Sequence, residues 1–268
     1  MHKKTNKVIP LWHFDHLARY NEIIHFCSGR NGGVSHGAYE SLNLGLTVGD
    51  EEGLVIKNRK RLAGELNITV DRFVFPQQTH SKNIKIIRSY EELKKPFTET
   101  DAMITNLPGI CLCVQTADCV PVILYDKQEK VIGVVHSGWQ GTLKKILTKT
   151  LEAFIHQFSS NPKDILVGIG PSIGPADYEV GDEVMDEYKK VYGIQAQHIL
   201  KKTENKKILL DLWKANQLQA EAMDIPGVNI EISFLSTFKE NELFFSARKQ
   251  GVQCGRCASG IMLKNNKY

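Results

Sequence analysis

Thr116-Ala117-Asp118-Cys119-Val120-Pro121-Val122-Ile123-Leu124-Tyr125 runs through the polar turn Asp126 to Lys130 into Val131-Ile132-Gly133-Val134-Val135-His136-Ser137-Gly138-Trp139. Two apolar segments of strand length separated by a short polar turn predict an antiparallel hairpin. In such a hairpin the start of the first strand lies beside the end of the second, so Cys119 and His136 become neighbours at one end of a small sheet. A third side chain of the same chemistry, His80, sits in Pro76-Gln77-Gln78-Thr79-His80-Ser81, just beyond the short apolar segment Phe73-Val74-Phe75. One cysteine and two histidines leave a tetrahedral zinc a fourth position for water, as in catalytic rather than closed structural sites. The separations, 39 and 17 positions, form no compact motif. On spacing alone, a shared metal site is one reading and three separately placed residues is the other.

At 268 residues the chain is long enough for a large buried core and reads as a single domain, residues 1–268. A charged share of 24% and a net charge of +4 are ordinary for a globular protein. The lysines are spread as Lys144-Lys145, Lys189-Lys190, Lys201-Lys202 and Lys206-Lys207, a solvated surface rather than a nucleic-acid face. No apolar stretch approaches the ~20 residues that span a bilayer. The basic start, Met1-His2-Lys3-Lys4, is followed only by the short run Val8 to His13, too little for a secretory signal core, so a cytoplasmic location is expected. Six cysteines in such a compartment need not pair. Cys111 and Cys113 alternate along one strand and should share a buried face.

Elsewhere, Ile23 to Cys27 reads as a strand opening into Ser28-Gly29-Arg30-Asn31-Gly32-Gly33. That loop could turn backbone N–H groups and a guanidinium toward an anion, or be an ordinary tight turn. Glu51 to Leu66 predicts a helix, and Asp101–Thr105 and Ile110–Val114 predict strands on either side of a Pro-Gly turn. Leu143, Ile146, Leu147, Leu151, Phe154, Ile155 and Phe158 predict one unbroken helix after Trp139, with Thr142 as N-cap and its positive end toward His136. Ile165–Ile169 is a buried strand; the Gly170-Pro171-Ser172-Ile173-Gly174 that follows is not a dinucleotide fingerprint. Further on come a helix near 181–192, a strand at Ile208–Leu210, a helix from Leu212 to Met223 capped by Asp211, and a strand over Val228–Ser233. Interleaved strands and helices predict a mixed α+β fold, layered sheet with covering helices.

Laid out in this way, the chain resembles the YfiH/YlmD family of laccase-domain, or "polyphenol oxidase", proteins. The resemblance is carried by Arg30-Asn31-Gly32-Gly33-Val34-Ser35, Ser41-Leu42-Asn43-Leu44-Gly45, Asn58-Arg59, Gln78-Thr79-His80, Thr116-Ala117-Asp118-Cys119-Val120-Pro121, His136-Ser137-Gly138-Trp139, Gly170 to Gly174 and Tyr178-Glu179-Val180-Gly181. It implies one YfiH-like domain in which His80, Cys119 and His136 hold a zinc ion. It also implies a purine nucleoside enzyme: phosphorolysis of adenosine, inosine, guanosine and methylthioadenosine, and deamination of adenosine, with nucleosides and phosphate as partners. A bacterial branch acts on muropeptide precursors. Gln140 stands where many relatives have arginine, and Cys257 is a local replacement, which makes Cys254-Gly255-Arg256-Cys257 an accidental C-x-x-C rather than a redox pair.

The expected roles follow. Asp118 moves protons or fixes the base, or merely orients its neighbour; Arg30 and its glycine loop bind phosphate; Asn43, Gln78 and Arg248 contact substrate or are structural. Multicopper oxidation needs about ten histidines, many in His-x-His pairs; this chain has nine histidines and no such pair. Copper could still displace zinc in vitro and give slight polyphenol oxidase activity. The rivals are a metal-free cysteine hydrolase, with Cys119 as nucleophile and His136 as base, and a non-catalytic binding protein.

Overall fold

The computed structural model of the chain describes residues 1–4 and 9–265. Val8, at the start of the short N-terminal apolar run, lies outside the described residues. In chain order come β1 (His2–Lys4), β2 (Leu11–His13), β3 (Ile23–Ser28), α1 (Glu52–Glu65), β4 (Phe73–Val74), β5 (Ile84–Ile87), β6 (Ala102–Thr105) and β7 (Cys111–Thr116). Then follow β8 (Val120–Asp126), β9 (Val131–Ser137), α2 (Trp139–Leu143), α3 (Ile146–Phe158) and β10 (Ile165–Ile169). The last third holds β11 (Glu179–Val180), α4 (Asp182–Tyr192), β12 (Leu200–Lys202), β13 (Ile208–Leu210), α5 (Leu212–Glu221), β14 (Ile230–Ile232), α6 (Ala247–Gln250) and β15 (Cys257–Leu263).

These strands form two six-stranded sheets, β1-β2-β3-β15-β7-β4 and β14-β10-β8-β9-β6-β5, and a small sheet β11-β13-β12. Both large sheets mix parallel and antiparallel pairs, as in an α+β fold. Alternation along β8 and β9 decides the layering. Ile123, Tyr125, Ile132 and Val134 face the other large sheet and pack with Leu112, Val114 and Ile261. Val122, Leu124, Val131 and Val135 face the opposite way, against Ile146, Leu147, Leu151 and Phe154 of α3. Strands covered on both faces need apolar residues at every position, which is why the two runs are continuous rather than alternating. The outer face of the first sheet carries Phe26, Cys111 and Cys113 against Leu62 of α1, so the two cysteines do share a buried face.

Two expectations are corrected. The helix after Trp139 is not continuous: α2 ends at Leu143, Lys145 adopts a left-handed conformation (φ 57°, ψ 45°), and α3 begins at Ile146. Thr142 lies inside α2 and is no N-cap; its hydroxyl is 2.9 Å from that of Ser137. The break is supported from outside, because the Thr142 carbonyl accepts hydrogen bonds from Gln219 Nε2 (2.9 Å) and Tyr192 Oη (3.1 Å). A helix end needs such partners. The element beginning beside His136 is therefore the five-residue α2, not the long helix. Second, the tail contains β15, a central strand paired with both β3 and β7, where no strand is predicted. β6 and β7 flank their turn as expected but belong to different sheets. The Asp211 cap is present, accepting from Lys214 N at 2.8 Å. Among the described residues no helix is long and apolar enough to cross a membrane.

Candidate metal centre

The β8–β9 register pairs Val120 with Ser137 and Pro121 with His136. Cys119, one residue before β8, therefore stands at the His136 end of the hairpin. His80 arrives from the loop between β4 and β5 in a left-handed conformation (φ 57°). What holds that loop is Asp101, fully buried at the start of β6. Its carboxylate accepts the backbone N–H groups of Thr79 (3.2 Å), His80 (3.1 Å) and Ser81 (2.7 Å) and the Ser81 hydroxyl (2.6 Å). From the other side Lys144 Nζ donates to the His80 carbonyl at 3.0 Å. The same Asp101 reaches His136 Nδ1 at 2.7 Å. One carboxylate thus positions both imidazoles, and sequence reading missed it; its only signal is an acidic residue entering an apolar strand.

Cys119 Sγ lies 3.7 Å from His80 Nε2, and the ligating atoms of His80, Cys119 and His136 are all within 4.8 Å of one another. Ligand atoms of a tetrahedral zinc stand about 3.3–3.6 Å apart for ordinary Zn–N and Zn–S bond lengths. The Cys119–His80 pair already stands close to that separation, and the widest pair of the three would close by up to about an ångström around one ion. Asp101 behind His136 is the carboxylate–histidine pairing typical of metal ligands, since it fixes the tautomer and leaves Nε2 for the ion. Gly138 is required by this closeness: a Cβ there would meet Cys119 Sγ at 2.8 Å and His80 Cδ2 at 3.0 Å. His136 is buried, Cys119 half-buried and His80 exposed, so the site opens to solvent on the His80 side. The donor set fits a metal ion, and among the described residues it is the one such His/Cys/carboxylate group.

Burial opposes ionisation of the Cys119 thiol. The adjacent His136 charge and hydrogen bonds from His136 and His80 outweigh it and bring the thiol down to about 6. Burial likewise opposes protonation of His136, yet the Cys119 thiolate and the Asp101 hydrogen bond raise it to about 9. The metal-free pair is therefore a thiolate beside an imidazolium, already charged as a metal ligand requires at the sulfur.

The other predicted site residues separate into two groups. Asp118, at φ 85°, adjoins the centre: Oδ1 accepts from Thr237 Oγ1 and Oδ2 from the Arg248 backbone N–H, both at 2.6 Å. Arg248 is thereby tied to the Cys119 turn. Arg30, in contrast, directs Nε and Nη2 at the Glu40 carbonyl and Nη1 at that of Asn241, with its guanidinium over Phe245. Each of its three nitrogens donates to a backbone carbonyl, so in this arrangement the side chain braces a loop. Asn43 is fully buried, bonded through both amide atoms to Gly45, Asp50 and Arg256. Gln78 exchanges two 2.8 Å bonds with the Gln115 backbone. Both amides find their partners within the protein. Cys254 and Cys257 are free, buried thiols raised by that burial, Cys257 to about 12.

Residues 24–264 match the family model described as multi-copper polyphenol oxidoreductase laccase. A Bacteroides thetaiotaomicron protein named purine nucleoside phosphorylase is 37% identical over 256 residues, covering 93% of this chain and 95% of its own length. A protein of an unknown prokaryotic organism named adenosine deaminase RL5 is 35% identical, covering 85% of this chain and 88% of its own. The crystal structure of the Bacillus licheniformis protein YfiH superposes with a TM-score of 0.90 at 32% identity, over 98% of this chain and 99% of that one.

Proposed function

The chain belongs to the laccase-domain family of YfiH and YlmD proteins, and we propose that its His80–Cys119–His136 site makes it a zinc-dependent purine nucleoside enzyme. The observation that supports this is the convergence of three ligands within 4.8 Å, open to solvent on one side and braced by Asp101. The names borne by the relatives support a purine nucleoside with phosphate, and adenosine with water, as the substrate classes; adenosine, inosine, guanosine and methylthioadenosine are the nucleosides the family resemblance implies. In phosphorolysis an oxygen of hydrogenphosphate bonds to C1′ as the C1′–N9 bond breaks; the base leaves with the electron pair and takes the phosphate proton. In deamination the water oxygen adds at C6 and the amino group leaves as ammonia.

Zinc bound here supplies Lewis-acid chemistry, polarising an oxygen and lowering the pKa of water toward about 7. The protein does the rest by positioning. Asp101 keeps His136 in one tautomer and holds the loop that presents His80. Asp118, with both oxygens engaged, fixes the Cys119 turn relative to Arg248 and acts as a positioning residue rather than the proton carrier. Nine histidines without a His-x-His pair and one three-residue ligand set among the described residues accommodate a single ion. The family's laccase description therefore does not carry over as multicopper chemistry, though copper can compete for the same ligands.

A second reading is favoured by one observation: a thiol held at about 6 beside an imidazolium is also an activated nucleophile. A metal-free cysteine hydrolase, acting for example on muropeptide precursors, would use that pair. Purified protein incubated with adenosine, with and without phosphate, before and after chelation, separates the two. Loss of adenine and inosine formation on chelation, restored by zinc, supports the metal reading. Full activity of the chelated protein together with covalent trapping at Cys119 supports the thiol. No turnover of any nucleoside at full zinc occupancy rejects the nucleoside reading and brings muropeptide substrates, or a binding role, forward.

A further inference from the structure

Arg248 is an exposed cation linked to the metal ligands through Asp118 and not committed to a carboxylate, whereas Lys144, which also has no carboxylate partner among the described residues, donates to the His80 carbonyl. Its backbone N–H is anchored on Asp118 Oδ2 at 2.6 Å, one residue from Cys119. Its guanidinium carbon lies 5.0 Å from the centroid of the Tyr178 ring, and Nη1 donates to the Glu179 carbonyl at 2.9 Å. The Glu179 carboxylate turns away to Lys207, at 2.7 Å. Among the described residues Arg248 has no ion pair, and its Nε and Nη2 make no hydrogen bond. Tyr178 is half-buried, and its phenol is raised first by burial and then by the Cys119 charge, with Arg248 acting against both.

Unpaired surface arginines are common, but this one is held at three points: main chain, ring face and one Nη1 bond. A guanidinium fixed in that way loses little rotamer freedom on binding, and its unused fork matches two oxygens of a phosphate. Arg30, whose Nε, Nη1 and Nη2 are all engaged by carbonyls, offers no such fork.

We propose that Arg248, stacked on Tyr178, is the oxyanion subsite of this centre and takes two phosphate oxygens on Nε and Nη2. The proposal rests on the nucleoside reading for its substrate: the oxyanion is either free inorganic phosphate or the 5′-phosphate of a nucleoside monophosphate. Binding and turnover are both measured, because either can fail alone.

Zinc-loaded wild type, R248M and R248K are melted with increasing inorganic phosphate or AMP, and adenosine phosphorolysis is followed with phosphate varied. Comparing variants at equal phosphate cancels the general stabilisation that phosphate salts give any folded chain. The expected result is a phosphate-dependent rise in midpoint for wild type that R248M lacks, with KM for phosphate raised about tenfold or more and KM for adenosine changed far less. R248K should fall between, keeping the charge but not the fork. Y178L should weaken phosphate binding and Y178F should not, since only the ring face is used. A loss confined to AMP assigns the subsite to the nucleotide phosphate. A phosphate shift lost in R248M without nucleoside turnover by wild type keeps the subsite and rejects the nucleoside reading. Equal phosphate shifts and equal phosphate KM in wild type and R248M overturn the proposal.

Discussion

His136 meets the fully buried Asp101 through Nδ1 at 2.7 Å, which turns its Nε2 toward Cys119 and His80. The same carboxylate grips the backbone on both sides of His80. Two ligands from distant parts of the chain thus share one support, and their separation is set by a residue that touches no ion.

Asp101→Asn tests that support. The amide can still accept from Nδ1–H, but it removes the charge and replaces one acceptor oxygen by a donor facing the N–H groups of residues 79–81. Zinc affinity, measured by competition with a chromophoric chelator, should fall about 10–100-fold, the usual cost of losing an outer-shell partner. Wild-type affinity in a folded D101N protein would show that the ligands hold themselves.

Gly138→Ala tests how closely the ligands are packed. Gly138 has φ −70° and ψ 177°, which alanine adopts freely, so any effect is steric. The new methyl would lie 2.8 Å from Cys119 Sγ and 3.0 Å from His80 Cδ2. Overpacking of this kind costs about 1–3 kcal/mol. We expect reduced zinc content by elemental analysis and a lower melting temperature, with the larger effect on zinc. Full zinc occupancy in G138A would mean that the ligands are looser than these contacts imply.

Acid stability should depend on a residue remote from the metal. Burial, followed by the charges of His13 and His16, lowers His25 from 6.5 to about 3, and its Nε2 accepts the Phe14 N–H at 2.9 Å. The neutral ring is what the fold requires. Because the folded-state value lies below the unfolded one, the unfolded chain binds more protons between them. The stabilisation is present above 6.5 and is lost as pH falls toward about 3. At pH 5 this amounts to about 2 kcal/mol, at 1.36 kcal/mol per unit. His25→Gln keeps an acceptor for the Phe14 N–H without titrating. Urea midpoints at pH 7 and pH 5 should therefore drop more for wild type than for H25Q. Equal drops would remove His25 from the account.

The hairpin is readable from residues 116–139 because its causes are local: two apolar runs, a polar turn, and a ladder that places the start of one strand beside the end of the next. The Asp211 cap and the buried face shared by Cys111 and Cys113 are readable on the same ground. The helix after Trp139 shows where local pattern stops. Its spacing satisfies a continuous helix, yet Gln219 and Tyr192, far along the chain, take up the Thr142 carbonyl and allow the turn at Lys145.

By itself the sequence determined the elements whose hydrogen bonds close within a few residues, and with them the meeting of Cys119 and His136. Tertiary structure alone decided that Asp101 supports both imidazoles, that the tail inserts β15 between β3 and β7, and that Arg30 spends Nε, Nη1 and Nη2 on carbonyls where Arg248 spends only Nη1. Those outcomes depend on which buried donor finds which acceptor across the core. A polar group removed from water must find a partner wherever the fold brings one, and no periodicity along the chain records where that will be.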